Sequence, residues 1–407
     1  MPAKTSRSGV TDRRYPTLNF HLRTKEVEHA VNSCYRITVS QSQLAQRAAA
    51  LLSNKANSLP QLPVTIGLDG FVDSIIRVVD KRESAEKYTT MPTIAVLADR
   101  LARAAGMSTN IELWVERVKL GGNGPIMANA MAALGTPTTY IGNLGYPHVH
   151  PAFTELTERA TVISVAEPAY TDALEFNDGK LMLGKRKTML DVNWANLVER
   201  VGRDRLQGLF ANSKLIGLQN WTMLPAMSDI WQHVLDEICP KLKTRNTFFF
   251  DLADPESRDP QDIRHALDLI AKFQKHFDTY LGLNEKESFE VAGVLAYQGA
   301  RDGEAAVQAV AKFVQDKLKI AGVVVHPRAY AVAASNAGVA KVAGPFVEKP
   351  LISTGAGDHF NAGFCLGKLI GADDETALQI GVGNSGYYVR TAKSPAALEL
   401  AGFLKTL

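Results

Sequence analysis

The chain is 407 residues long, 46% hydrophobic and 21% charged, enough for one large domain or two modest ones around a sizeable core. Its 45 Lys and Arg against 42 Asp and Glu leave a formal charge of +3, too even a balance to argue for nucleic acid or a membrane surface as partner. Three cysteines, Cys34, Cys239 and Cys365, are too few and too scattered for a disulfide framework or a metal site, and a reducing cytoplasm is the expected setting.

Residues 1–60 read as an extension of unknown role ahead of the main fold. The leader carries Lys4, Arg7, Arg13 and Arg14 but lacks the apolar block of a secretory signal. A helical pattern over 41–52 is then broken by Asn57-Ser58-Leu59-Pro60. Residues 64–68 read as a buried strand, with Asp69-Gly70-Phe71-Val72-Asp73 at its C-terminal end, where ligands collect in open α/β sheets. Two carboxylates at that place either accept hydrogen bonds from neighbouring sugar hydroxyls or serve as turn and cap residues; chemistry alone leaves both readings open.

A helix is expected over 92–105 and a strand over 111–115. Gly121-Gly122-Asn123-Gly124 then leads into a helix over 126–134; its glycines permit close approach to a ligand, and Asn123 is presented at the helix entrance. His148 and His150 have no third ligand nearby and read as loop residues. Asn177-Asp178-Gly179 between apolar runs at 173–176 and 180–183 signals a hairpin, which with 111–120 builds a small projecting sheet. Lys185-Arg186-Lys187 reads as a solvated face rather than a phosphate contact, and Asn220-Trp221-Thr222 as a chance glycosylation match.

From residue 190 onwards helices alternate with apolar strands at 215–218, 247–250, 279–281 and 323–325, the pattern of a parallel sheet covered on both faces. Asn284 and Glu287, three apart at a helix start, face one side; a plain capping pair predicts the same residues. Gly381-Val382-Gly383-Asn384-Ser385-Gly386 spells a dinucleotide fingerprint but follows no strand, and 375–390 reads as a helix. Small residues there suit close packing or room for an adenine, with Asn384 as a nucleotide contact.

The most informative stretch is Ile352-Ser353-Thr354-Gly355-Ala356-Gly357-Asp358-His359-Phe360-Asn361-Ala362-Gly363-Phe364. Its glycines let backbone N–H groups converge on an anion at a helix start, with Asp358 in the first turn. A carboxylate there would repel bound phosphate; its sensible work is to take a proton from an attacking hydroxyl.

Thr-Gly-Ala-Gly-Asp followed by Phe-Asn-Ala-Gly-Phe resembles the C-terminal signature of the PfkB, or ribokinase-like, carbohydrate kinases. The resemblance runs over about residues 62–400 and implies a three-layer α/β/α core with a mainly parallel sheet and a small β-sheet lid within 108–120 and 170–190. It implies an ATP- and magnesium-dependent transfer to a hydroxyl of a sugar-like molecule, with Asp358 as base and Gly355, Ala356 and Gly357 as the anion hole. Asp73, with Asp69 second, joins Gly121, Gly122 and Asn123 on the acceptor; Asn284 and Glu287 organise magnesium through water. Thr354, Arg328 and Asn384 fall to the nucleotide. The chain departs from the pattern in places: Asn123 stands where ribokinase has Lys, and Ile126 where the signature has Asn. His326, Arg328 and Ala331 replace a Thr-x-Gly-x-x-Gly loop, and Ile352 replaces an Asp associated with a monovalent cation, which argues against potassium activation. A homodimer through the lid is a further implication. The alternatives are a nucleoside or vitamin-type kinase of the same fold, and a sugar-binding protein with weakened transfer.

Overall fold

A computed structural model describes residues 40–407. The basic leader of the N-terminal extension and Cys34 lie outside the described residues. The chain lays a nine-stranded sheet in the order β14-β13-β12-β11-β10-β9-β1-β5-β6. These strands are β1 Val64–Leu68, β5 Thr138–Gly142, β6 Thr161–Ser164, β9 Leu215–Leu218, β10 Thr247–Asp251, β11 Asp278–Leu283, β12 Gly322–Val325, β13 Tyr330–Ser335 and β14 Gly338–Ala343. Seven run parallel from β6 to β12, and the β13–β14 hairpin closes one edge antiparallel.

The parallel strands are apolar on both faces because helices cover both. Along β10, Phe248 and Phe250 enter one hydrophobic cluster while Phe249 enters the other; Val323 and Val325 against Val324 repeat this on β12. On one side Phe248 stacks on Phe250 with ring centroids 4.4 Å apart, and both pack on Phe273. On the other lie the helices Ala356–Leu369 and Asp374–Thr391, which approach closely through glycine. A Cβ on Gly363 would sit 2.8 Å from the Ile380 carbonyl oxygen, and one on Gly367 2.7 Å from Cα of Ala377.

Two boundaries differ from the sequence reading. The helix Gln41–Lys55 is part of the core: Leu44, Ala45, Ala48, Ala49 and Leu52 are buried, and Gln41 donates to the Ala343 carbonyl at 2.9 Å. The small sheet is also larger than expected. Its central strand is β2, Phe71–Arg82, flanked by β4 (Leu113–Gly121) antiparallel and β7 (Ala169–Phe176) parallel, with β8 (Gly179–Lys185) and β3 (Tyr88–Thr90) completing five strands. The expected hairpin turns at Asn177-Asp178, as β7 and β8 pair from Phe176–Gly179 to Tyr170–Lys185.

Candidate active site

Gly355 takes the left-handed conformation (φ 92°) as N-cap of the helix Ala356–Leu369, and Asp358 lies in that helix's first turn, 6% exposed. No salt bridge among the described residues holds it. Its charged neighbours are acids: burial first, then Asp251 and Asp69, push its carboxyl well above the usual carboxylate range, while the Asn123 side chain facing it offsets part of that rise.

Asp69 is fully buried and its carboxylate is occupied. Oδ1 accepts from the Gly124 N–H at 2.8 Å; Oδ2 accepts from the Asn123 N–H at 3.0 Å and from Asn220 Nδ2 at 2.8 Å. Burial still raises it to about 6. It therefore caps the helix Asn123–Leu134, whose first donors would otherwise be unpaired, and its carbonyl accepts from the Tyr140 hydroxyl. That geometry turns Asp69 from a direct acceptor contact into the residue that fixes the Gly-Gly-Asn-Gly loop. The glycines are required by these acids: a Cβ on Gly124 would fall 2.6 Å from Asp69 Oδ1, and one on Gly121 would overlap the Asp73 carboxylate.

Asp73 stands on β2 opposite Lys119 of β4. Its pKa is raised by burial and drawn back by Lys119, a hydrogen bond with Thr171, and Lys180; the Lys119 ammonium is lowered by the same burial. Both line a cavity of about 160 Å³ between the small sheet and residues 350–354, with Arg117, Glu175, Lys180 and Thr354. Lys180 Nζ donates to Thr354 Oγ1 at 2.9 Å, so the small sheet touches the glycine loop.

On the loop's other side lies a cleft of about 310 Å³ lined by Asn284, His326, Arg328, Pro345, Phe346, Ser353, Ala356, Gly357 and Val382 among others. Ser353 lines both cavities. Asn284 and Glu287 form a reciprocal cap at the helix Glu285–Val294: Asn284 Oδ1 accepts from the Glu287 N–H at 2.9 Å, and Glu287 Oε2 from the Asn284 N–H at 2.8 Å. Glu287 Oε1 accepts from the Asp254 N–H at 2.8 Å.

Two further placements depart from the sequence reading. Asn384 is fully buried, donates to the His359 carbonyl at 2.7 Å and packs between helices without lining the cleft, so it is corrected from nucleotide contact to helix-packing residue. Thr354 faces the cavity of Asp73 rather than the cleft of Asn284 and Arg328. Ala356 spends its N–H on the Ser353 carbonyl at 3.2 Å. Lys185 pairs with Asp172 at 2.9 Å, in keeping with a solvated face.

Sequence reading missed Asp251 and Asn220. Asp251 ends β10, accepts from Asn361 Nδ2 at 2.8 Å, and is raised to about 8 by burial and by Glu287. Two buried carboxyls repelling one another at parallel strand ends suit a divalent cation. Asn361, only three residues beyond Asp358, was a signal available in the motif.

The prokaryotic ketohexokinase family matches residues 43–407. A ketohexokinase from Haloferax volcanii is 29% identical over 346 residues, 84% of this chain and 90% of the relative. Among solved structures, Arabidopsis thaliana ribokinase complexed with ribose and ATP superposes with a TM-score of 0.58 at 15% identity, covering 85% of this chain and 99% of that one. Phosphofructokinase-2 from Escherichia coli gives 0.57 at 14%, covering 85% and 98%.

Proposed function

Because the chain belongs to the prokaryotic ketohexokinase family and is an ATP-dependent sugar kinase, a phosphotransferase with an alcohol group as acceptor, we propose that its acceptor is a ketohexose. The observation that carries the site assignment is the meeting of two cavities at residues 353–357, an acceptor-sized one holding Asp73 and a larger one holding Asn284 and Arg328. In this reading sugar hydroxyls bond to Asp73, with Asn123 beside them, and the nucleotide lies along the cleft with its phosphates towards Arg328 and Gly357. Asp358 accepts the proton of the attacking hydroxyl, and the amides of Gly355 and Gly357 hold the charge of the migrating phosphoryl group, the Ala356 N–H being turned onto Ser353. The raised pKa of Asp358 suits a base, since a carboxylate of ordinary pKa takes a hydroxyl proton poorly.

Magnesium would be held by Asp251 directly and by Asn284 and Glu287 through water, since their oxygens already accept backbone N–H bonds, and when bound it would neutralise phosphate charge. Asp251, the acid that raises Asp358 most after burial, is one that the cation would quiet.

Asp358→Asn is expected to reduce kcat by at least about 10³-fold while leaving nucleotide-induced thermal stabilisation intact. The assay is acceptor-dependent ADP release over ketohexoses, aldohexoses, sugar phosphates and nucleosides; near-normal turnover by the variant removes Asp358 from the role of base. A sugar already carrying phosphate is a second reading, favoured by Arg117, Lys119 and Lys180 around the acceptor cavity, and the same panel separates the two.

We also read the protein as cytoplasmic and as a homodimer through the small sheet. Cys239 and Cys365 are buried free thiols, which fits a reducing compartment, and no helix among the described residues is long and apolar enough to cross a membrane. Leu113, Val115 and Val118 of β4 and Leu183 of β8 are exposed on the sheet face opposite Asp73, an apolar surface suited to a second copy of the same sheet.

A further inference from the structure

Behind the glycine loop two aromatic side chains grip its backbone, lining with Ser394 a third cavity that meets the acceptor cavity at Arg117, Lys119 and Ile352. His359 is 1% exposed and its Nδ1 lies 2.8 Å from the Gly355 carbonyl oxygen; its Nε2 lies 2.9 Å from the Ser394 hydroxyl. Tyr388, from the helix Asp374–Thr391, donates its hydroxyl to the Thr354 carbonyl at 3.1 Å. The two rings are stacked, 3.6 Å between centroids and 13° between planes.

The partners fix the tautomer. A carbonyl only accepts, so Nδ1 carries the proton; burial keeps the ring neutral, and Nε2 must then accept from Ser394. His359 thus reaches back over the carbonyl that its own N–H already meets as the first helical bond, at 3.1 Å. A trans peptide points its N–H opposite to its C=O. Drawing the Thr354 carbonyl backwards therefore turns the Gly355 N–H forwards, and drawing the Gly355 carbonyl backwards holds the next peptide, whose N–H closes the turn onto Ser353.

We propose that His359 and Tyr388 are positioning residues of the phosphoryl-transfer site, holding the carbonyls of Thr354 and Gly355 from behind so that the loop keeps its amides on the transferred group. The proposal rests on the kinase reading above, in which the amides of Gly355 and Gly357 receive that group. Each acts on the loop through its backbone. Because the loop amides meet charge that builds up during transfer, misdirecting them lowers kcat and leaves sugar binding at Asp73 in place.

Steady-state kinetics with ATP, magnesium and D-fructose test this. His359→Leu and Tyr388→Phe should each lower kcat on the order of 10- to 100-fold, the scale of small misplacements in an active site, with the sugar KM changed less than about threefold. His359→Asn, whose amide N–H reaches where Nδ1–H stood, should keep kcat within about threefold of wild type. The double variant His359→Leu/Tyr388→Phe should fall well short of the product of the single losses, since both act on one turn. The proposal is overturned if His359→Asn is as slow as His359→Leu, or if the losses appear in the sugar KM with kcat unchanged. Should His359→Leu fail to fold, Tyr388→Phe, which keeps the ring stack, decides alone: a wild-type kcat overturns the assignment. Acceptor-dependent ADP release by the wild type under the same conditions separates this from the kinase reading, whose failure would remove both.

Discussion

Four carboxyl groups, of Asp69, Asp251, Glu287 and Asp358, are buried at the C-terminal ends of β1, β10 and β11 and at the start of the helix Ala356–Leu369, and burial raises all four. A carboxyl whose pKa is higher folded than unfolded holds its proton more tightly in the native state. Its contribution to stability is thus fully present below the unfolded value near 3.8 and is lost as pH rises through the folded one, for Asp251 about 8. Asp251→Asn should consequently raise the thermal midpoint by roughly 2 °C or more at pH 8, with the gain shrinking towards pH 4, while turnover falls. A midpoint lowered at both pH values would show instead that the Asp251 charge is compensated in the folded protein. Asp358 was legible because its evidence is local, a run of small residues opening a helix. Asp251 and Asn220 were not: each is an ordinary polar residue after a short strand, and only folding brings them against Glu287 and Asp69.

The elements divide in the same way. Strands β9 to β12 are short apolar runs between helices, and both the pattern and the result follow from burial on two faces. β2 was hidden because Asp69-Gly70 looks like a turn and because its burial does not alternate: it starts in the core and ends in solvent. β13 and β14 were missed since alanine, a weak strand former, supplies much of β13. The helix Gln41–Lys55 was assigned to an extension because a breaker separates it from β1, yet it packs on the last helix, Ala397–Leu404, and on Asp374–Thr391. Leu52→Ala, which empties a fully buried position on it, should cost about 2–4 kcal/mol in denaturant unfolding. A loss under about 0.5 kcal/mol would mean that this helix is not stably docked.

At the scale of the whole molecule, the acceptor cavity is bounded by the small sheet on one side and the glycine loop on the other, joined by the contact of Lys180 with Thr354. Pairing of two small sheets predicts that light scattering finds a dimer at micromolar concentration, and that Val115→Glu with Val118→Glu, both on the face opposite Asp73, yields a folded monomer. A wild-type monomer at the highest soluble concentration would dispose of that pairing. The glycine-lined contact between the helices Ala356–Leu369 and Asp374–Thr391 has a further bearing. With backbone against backbone, the element carrying Asp358 has nowhere to slide. Motion in each cycle is therefore expected of the strand-built cover, and a change of preferred sugar can arise by substitutions in that cover without disturbing the acid proposed to remove the proton.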